Sequence, residues 1–435
     1  MRTRSFAWLA ALSANAWFAY ATILLLQLKA AWGMWAVRDL TSGDTSSYFV
    51  IAWKWHHRGA TSIVWSPLYT SFYSLFFHLS HDAFTVTTAH RMAIVLTLDV
   101  LVLALMRMLL PKPLAWLMAA WWAILPIDFD ALYEVHLFAA IPMLLAVLVL
   151  RWIPGRWGRG WSLGILFAAS LLMRNELILA TCLLAVFAAL RELRGAKPRA
   201  RAVSLLGAYG IPLAAAVLLA LFFYGRAEDR PVLVQMAERK HTLNVCQAYA
   251  FGYQQRHPDW KDSPWTDCQQ VMTRVFGMAE PSFTQAAIRN PQALLEHFLW
   301  NLKLLPDGLE VLLFNAAFGS TDPDYAPVRS GSGRALALAI LSLGIILLGA
   351  IRLWRRRRAW WDGWLHDRLW VWLALGCLSA VVLSVIVFER PRPSYMFILG
   401  IALRALIGMS MVAIAGRWTD FSRLSAAFPA VAILA

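Results

Sequence analysis

Apolar residues fall in long unbroken runs along this chain, and the polar residues are crowded into the gaps between them. The first run extends from Phe6 to about Ala31, and others cover 86–109, 113–126, 133–152, 161–173, 177–190, 203–224, 335–353, 369–388 and 394–416. A helix needs roughly 20 apolar residues to cross a bilayer, so the pattern predicts about ten spans. The first run has no small-residue cleavage site after a short apolar core and reads as a retained helix, not a signal peptide. The run at 64–79 is interrupted by Pro67 and carries His78, which predicts a short re-entrant or interfacial helix. No internal repeat or heptad is visible, which weakens an inverted-repeat transporter.

Composition agrees with a membrane protein. Of 435 residues, 60% are hydrophobic and only 15% charged, with 23 Trp and 23 Phe. A soluble domain carries roughly 25% charged residues, so soluble, disordered and collagenous classes are excluded. The predicted fold class is an all-α polytopic membrane protein.

The net charge of +15 would suggest nucleic acid in a soluble protein. Here its distribution decides. The segments 1–5, 107–113, 151–160, 191–201, 352–368 and 417–435 hold 20 of the 40 Lys and Arg, with only four acids. A basic excess confined to alternate loops marks the cytoplasmic side, so the expected orientation has the N-terminus cytoplasmic and no nucleic-acid partner. Two large segments then lie outside, 32–85 and 226–334, the second with 11 basic and 12 acidic residues. The expected organisation is a membrane module at 1–225, an external segment at 226–334 and closing membrane helices at 335–435. Within the external segment, Leu294, Leu295, Phe298, Leu302 and Leu305 follow helical spacing, which predicts a helix on the membrane face or against the spans.

Two of the four cysteines, Cys182 and Cys377, lie in predicted spans. Cys246 and Cys268 share the external segment, where an oxidising compartment would let them pair. No Cys or His spacing resembles a zinc site.

Ionisable groups near membrane depth are costly and mark candidate chemistry. Asp44 follows Gly43 after the first span and precedes an aromatic stretch from Tyr48 to Trp55. Gly43 allows a tight turn there, and the simple reading of Asp44 is a helix cap. Asp128 and Asp130 flank Phe129, with Glu134 and His136 following. Paired carboxylates can hold a divalent cation or a polar substrate, or can be a solvated loop. Arg174-Asn175-Glu176 separates two short runs, and its arginine is either paired with Glu176 or a phosphate contact. Glu389-Arg390-Pro391-Arg392-Pro393-Ser394-Tyr395 offers two arginines on a stiff turn before the last span, either as an anionic headgroup clamp or as snorkelling side chains. Asp99 and Arg404 fall inside spans and are expected to pair with each other or with backbone.

In this order along the chain, these motifs resemble the GT-C glycosyltransferases, the clan of protein O-mannosyltransferases, aminoarabinose transferases and oligosaccharyltransferase catalytic subunits. The likeness rests on Gly43-Asp44…Tyr48, Ser66-Pro67-Leu68-Tyr69, Asp128 and Asp130, Leu172-Met173-Arg174-Asn175-Glu176, Ile288-Arg289-Asn290-Pro291 and Arg392-Pro393-Ser394-Tyr395. Asn175 stands where the clan usually has proline, and Arg-Pro-Arg-Pro replaces a commoner Arg-Tyr form. The resemblance implies a GT-C-like bundle with external juxtamembrane helices and a polyprenyl-phosphate-linked sugar donor. It implies a lipid, glycan or protein acceptor, with Asp44 as general base. Asp128, Asp130 and Glu134 would orient the acceptor or hold Mg or Mn. Arg174 and either Arg390 or Arg392 would meet the donor phosphate, supported by Tyr48, Glu176 and Tyr395. A bacterial inner membrane with a periplasmic site is the expected location. A lipid-linked-substrate transporter or flippase and a non-catalytic scaffold are the alternatives.

Overall fold

The computed structural model describes residues 12–33, 43–125, 134–193, 204–315, 332–360 and 366–415. Among them the protein is all-α, with one isolated bridge pairing Thr61 and Ala227 in place of any sheet. In chain order the main helices are α1 (Ala16–Ala30), α2 (Gly43–Arg58), α3 (Pro67–Ser74), α4 (Ala83–Leu109), α5 (Lys112–Ala123), α6 (Glu134–Trp152), α7 (Gly155–Leu172) and α8 (Leu177–Leu193). After them come α9 (Ile211–Tyr224, entered through the π turn Leu206–Gly210), α10 (Leu233–Arg256), α11 (Cys268–Phe276), α12 (Phe283–Arg289) and α13 (Pro291–Phe314). The chain closes with α14 (Gly333–Arg355), α15 (His366–Phe388) and α16 (Phe397–Ala415).

Six of these are long and apolar enough to cross a membrane: α4, α6, α9 with its π turn, α14, α15 and α16. That gives the chain the make-up of an integral membrane protein. The expected count of ten rests on four more runs. Of these α5 has 12 residues, about 18 Å of helix, too little for a hydrocarbon core of about 30 Å. The run expected at 161–173 is extended backward to Gly155, taking Arg156 and Arg159 into α7.

The interior is built around α4, α6, α15 and α16, whose facing sides carry Leu98, Val102, Leu144, Val147, Val381 and Ile401. α14 joins the bundle by packing on α16. The approach is possible because Gly349 has no side chain: a Cβ there would stand 2.3 Å from the Cβ of Ser410.

Two charged residues deep in the bundle, Arg404 and Asp99, are met by polar partners, as the low dielectric demands. Arg404 donates to the carbonyl oxygens of Gly400 and Leu312, at 3.1 and 3.2 Å, with its guanidinium 5.0 Å from the centre of the Trp121 ring. Asp99 instead takes the amide of Gln27 on α1, at 3.1 and 3.0 Å in the amide orientation that satisfies both groups. The backbone pairing expected for Arg404 is present, and the partner of Asp99 is a neutral amide.

Helices α10 to α13 form a layer with its own core, in which Val245, Tyr249, Met272, Phe276 and Leu294 are buried together. A disulfide between Cys246 and Cys268 ties α10 to the start of α11, while Cys182 and Cys377 are free thiols. The expected amphipathic helix at 294–305 lies within α13. Its Leu294 is buried, and Leu295, Leu299 and Leu302 are exposed along one side.

Candidate functional site

Several polar helix ends meet at one end of the bundle. Asp44 occupies the first turn of α2, inside the helix instead of at its cap. One turn on, Tyr48 sets its ring edge-on to Trp65 and Tyr69, with centroids 5.2 and 5.1 Å away. The strap 61–66 that carries Trp65 is pinned from the polar segment. Asp229 accepts from the Ser62 hydroxyl at 2.7 Å and from the backbone N–H groups of Ile63 and Val64 at 3.1 and 3.3 Å. Lys240 donates to the Val64 carbonyl at 2.8 Å, its ammonium 5.0 Å from the Trp65 ring centre.

Ser66 ends the strap in a left-handed conformation, with φ of 51°, a strain that non-glycine residues adopt only where neighbours enforce it. Its hydroxyl donates to the carbonyl of Met173 at 3.3 Å. That bond joins the strap to the turn between α7 and α8, where Arg174 Nε donates to Glu176 Oε1 at 2.5 Å and Nη2 also reaches that oxygen. The Arg174–Glu176 ion pair is therefore real. It leaves Arg174 facing Tyr395, whose ring centre is 5.6 Å from the guanidinium carbon.

Tyr395 sits in the 3-10 turn Pro393–Tyr395 that joins α15 to α16. His136, one turn into α6, lies against it with ring centroids 4.7 Å apart. The two candidate arginines of this turn take different surroundings. Arg390 rests on the ring of Phe251 in α10, 3.8 Å from its centre. Arg392 acts electrostatically on Asp44 and His136.

The electrostatics follow from this crowding. Asp44 is open to solvent yet recessed among protein atoms. Desolvation raises its pKa above the ordinary aspartate value, and Lys240 and Arg392 partly offset the rise. Desolvation lowers the Lys240 ammonium, which Asp44 supports and Arg174 opposes. Glu389 is raised to about 7, by burial first and by Glu176 among its neighbours, against the pull of Arg390, Arg174 and Arg392. Burial and the charge of Glu389 push the Tyr395 hydroxyl up to about 12.

Beside this polar rim a narrow, partly open cleft of about 30 Å³ lies between α6, α8, α15 and α16. Its polar lining is Arg174, Glu176, His136, Ser394 and Tyr395. Its walls are Leu378, Val381, Val382 and Val385 from one face of α15, and Ala139, Ala140 and Met143 from α6. The Ser394 hydroxyl is buried without a hydrogen-bond partner among the described residues.

Asp44, Tyr48, Arg174, Glu176, Arg392 and Tyr395 thus converge. Glu134 does not join them. It is buried at the start of α6 and faces Arg91 on α4 at 3.8 Å. Asp128 and Asp130 lie outside the described residues. Among the described residues no group of three or more His, Cys, Asp or Glu could hold a metal.

Sequence reasoning missed Lys240, Glu389 and Ser394. Lys240 is one of 11 basic residues in the polar segment and carries no local signal. Glu389 and Ser394 flank arginines that drew attention for their charge. No family model, curated protein or solved structure matches the chain.

Proposed function

We propose that the protein is a membrane glycosyltransferase of GT-C type that moves a sugar from a polyprenyl-phosphate-linked donor to an acceptor. The observation that carries this reading is the cleft. Arg174, paired with Glu176, and the hydroxyls of Ser394 and Tyr395 line the cleft beside apolar helix walls, with Arg392 and Lys240 nearby around Asp44, a combination that suits a phosphate head on an isoprenoid tail. A soluble nucleotide sugar would have no use for those walls.

In this reading Arg174 and Arg392 meet the donor phosphate, and the Ser394 hydroxyl donates to one of its oxygens. Lys240 adds a third cation beside Asp44. The acceptor hydroxyl or amine attacks the anomeric carbon while Asp44 takes its proton. The bond from that carbon to the phosphate oxygen breaks, and polyprenyl phosphate leaves with the electron pair. The developing charge falls on fixed cations, where preorganised electrostatics act most strongly. No step is routed through a metal. Tyr48 and Glu176 hold Trp65 and Arg174 in place.

Arg156 and Arg159, paired with Glu192, belong to the basic segments at the bundle end away from this cleft. That separation supports a cytoplasmic basic face and a periplasmic site in a bacterial inner membrane.

The test is release of polyprenyl phosphate from a panel of polyprenyl-phosphate sugars, with crude acceptor extract and protein in nanodiscs. Release that collapses in a folded Asp44→Asn variant supports the transferase. Tight donor binding without cleavage, equal in both proteins, replaces it with a transporter or flippase of a lipid-linked substrate.

A further inference from the structure

The turn that carries Arg390, Arg392, Ser394 and Tyr395 begins where α15 ends, and the last carbonyls of a helix have no partners within it. Here they are met from α13. Asn301 donates through Nδ2 to the carbonyls of Val387, Phe388 and Glu389, at 2.9, 3.4 and 3.3 Å. His297, one helical turn earlier, donates through Nε2 to the Phe388 carbonyl at 2.7 Å. Both side chains are fully buried. Burial lowers the imidazole to about 4, so it is neutral, and the nitrogen facing the carbonyl is the one that bears hydrogen.

Two further contacts fix the same turn. Phe251 of α10 lies beneath the Arg390 guanidinium. Gly308 of α13 faces the Pro391 carbonyl so closely that a Cβ would stand 2.7 Å from its oxygen. The layer of α10 to α13 therefore meets the turn at Val387–Glu389, at Arg390 and at Pro391. Ordinary capping uses water or a local residue. Here a helix from a separate layer supplies it, at the point where the chain enters the candidate clamp.

We propose that His297 and Asn301 are positioning residues that set the place of the 389–395 turn, so that α13 controls the geometry of the phosphate clamp. That the turn binds a phosphate rests on the function proposed above; that α13 holds the turn does not. The two parts are separable by experiment.

Amide hydrogen exchange in nanodiscs reads the turn directly. In His297→Ala/Asn301→Ala the peptides covering 386–396 exchange about tenfold faster or more, while those of α4 and α6 are unchanged, as loss of two buried donors would cause. Asn301→Ala alone gives the same direction if the double variant does not fold. His297→Gln, which keeps a donor, stays within about threefold of wild type. Binding of farnesyl phosphate weakens about tenfold in Asn301→Ala and in His297→Ala and is kept in His297→Gln, a donor-dependent pattern that loss of general stability would not produce. Unchanged exchange at 386–396 in the alanine variants overturns the proposal. Faster exchange with unchanged farnesyl phosphate affinity overturns control of the clamp. Wild type that binds no farnesyl phosphate removes the proposed function, and the exchange result then decides the role of α13 alone.

Discussion

Lys240 reaches across from α10 to the Val64 carbonyl at 2.8 Å, and so anchors the strap beside Asp44 to a helix of the polar segment. The same ammonium helps hold the Asp44 carboxyl down against the upward push of burial. The proposed transfer needs the Asp44 carboxylate, so its rate is expected to fall as pH drops through the raised pKa. In Lys240→Met that lowering influence is gone, and the acid limb of kcat/KM moves to higher pH. A pH–rate profile checks the shift; identical limbs in the two proteins would show that Lys240 does not act on the base.

Asp44→Asn removes the proposed base without changing the size of the side chain. Release of polyprenyl phosphate falls by about two to four orders of magnitude. A loss below about threefold would match a structural residue in a first helical turn, where an acid contributes about 1 kcal/mol or less.

The arginines of the last turn separate in the same assay. Arg392→Gln and Arg174→Gln each weaken farnesyl phosphate binding by about tenfold or more, since a charged hydrogen bond contributes about 1.5 to 3 kcal/mol. Arg390→Gln weakens it less, because that guanidinium lies on Phe251. Ser394→Ala also weakens binding without disturbing the fold, because its hydroxyl makes no bond within the described residues. Isothermal titration of the four variants gives the order; Arg390 as the most sensitive position would reverse the assignment.

Glu389 titrates with its pKa raised from 4.5 to about 7. The folded state then holds this proton more tightly than the unfolded chain, so stability from this group is full below about pH 4.5 and is lost as pH rises toward about 7. Glu389→Gln, neutral throughout, raises the melting temperature at pH 8 and leaves it nearly unchanged at pH 4.5. Thermal unfolding in detergent at the two pH values reads the difference directly.

The disulfide closes a loop with a sequence separation of 22 residues, which stabilises the α10–α13 layer by about 3 kcal/mol in the chain-entropy account. Cys246→Ser lowers the melting temperature of that layer, and alkylation of wild type without reductant labels neither cysteine. Labelling of both would remove the bond.

The sequence made the membrane helices legible because lipid-facing and buried positions are both apolar, so a span reads as a run without regard to its packing. It was less informative at α5 and α7, where a short run and two basic residues blur the edge of a helix. At the site, Asp44, Arg174, Arg392 and Tyr395 were visible because charge and proline interrupt apolar runs where helices end. Lys240, His297 and Asn301 were not. Their meaning comes from carbonyl groups of distant residues, and a backbone carbonyl has no signature in sequence. The different surroundings of Arg390 and Arg392 depend on Phe251, which lies in a different layer. Glu134 faces Arg91, a partner set by the packing of α4 against α6 that sequence alone does not reveal.

The Asp99–Gln27 contact bears on how the chain enters the bilayer. An aspartate near the middle of a helix opposes insertion by about 2.5 to 3.5 kcal/mol, so α4 carries a penalty that its flanking leucines and valines must outweigh. Its amide partner lies on α1, which is synthesised first. When α4 leaves the ribosome, the group that satisfies its carboxyl is already in place, and these two helices are suited to enter as a pair before the rest of the bundle exists to shelter them.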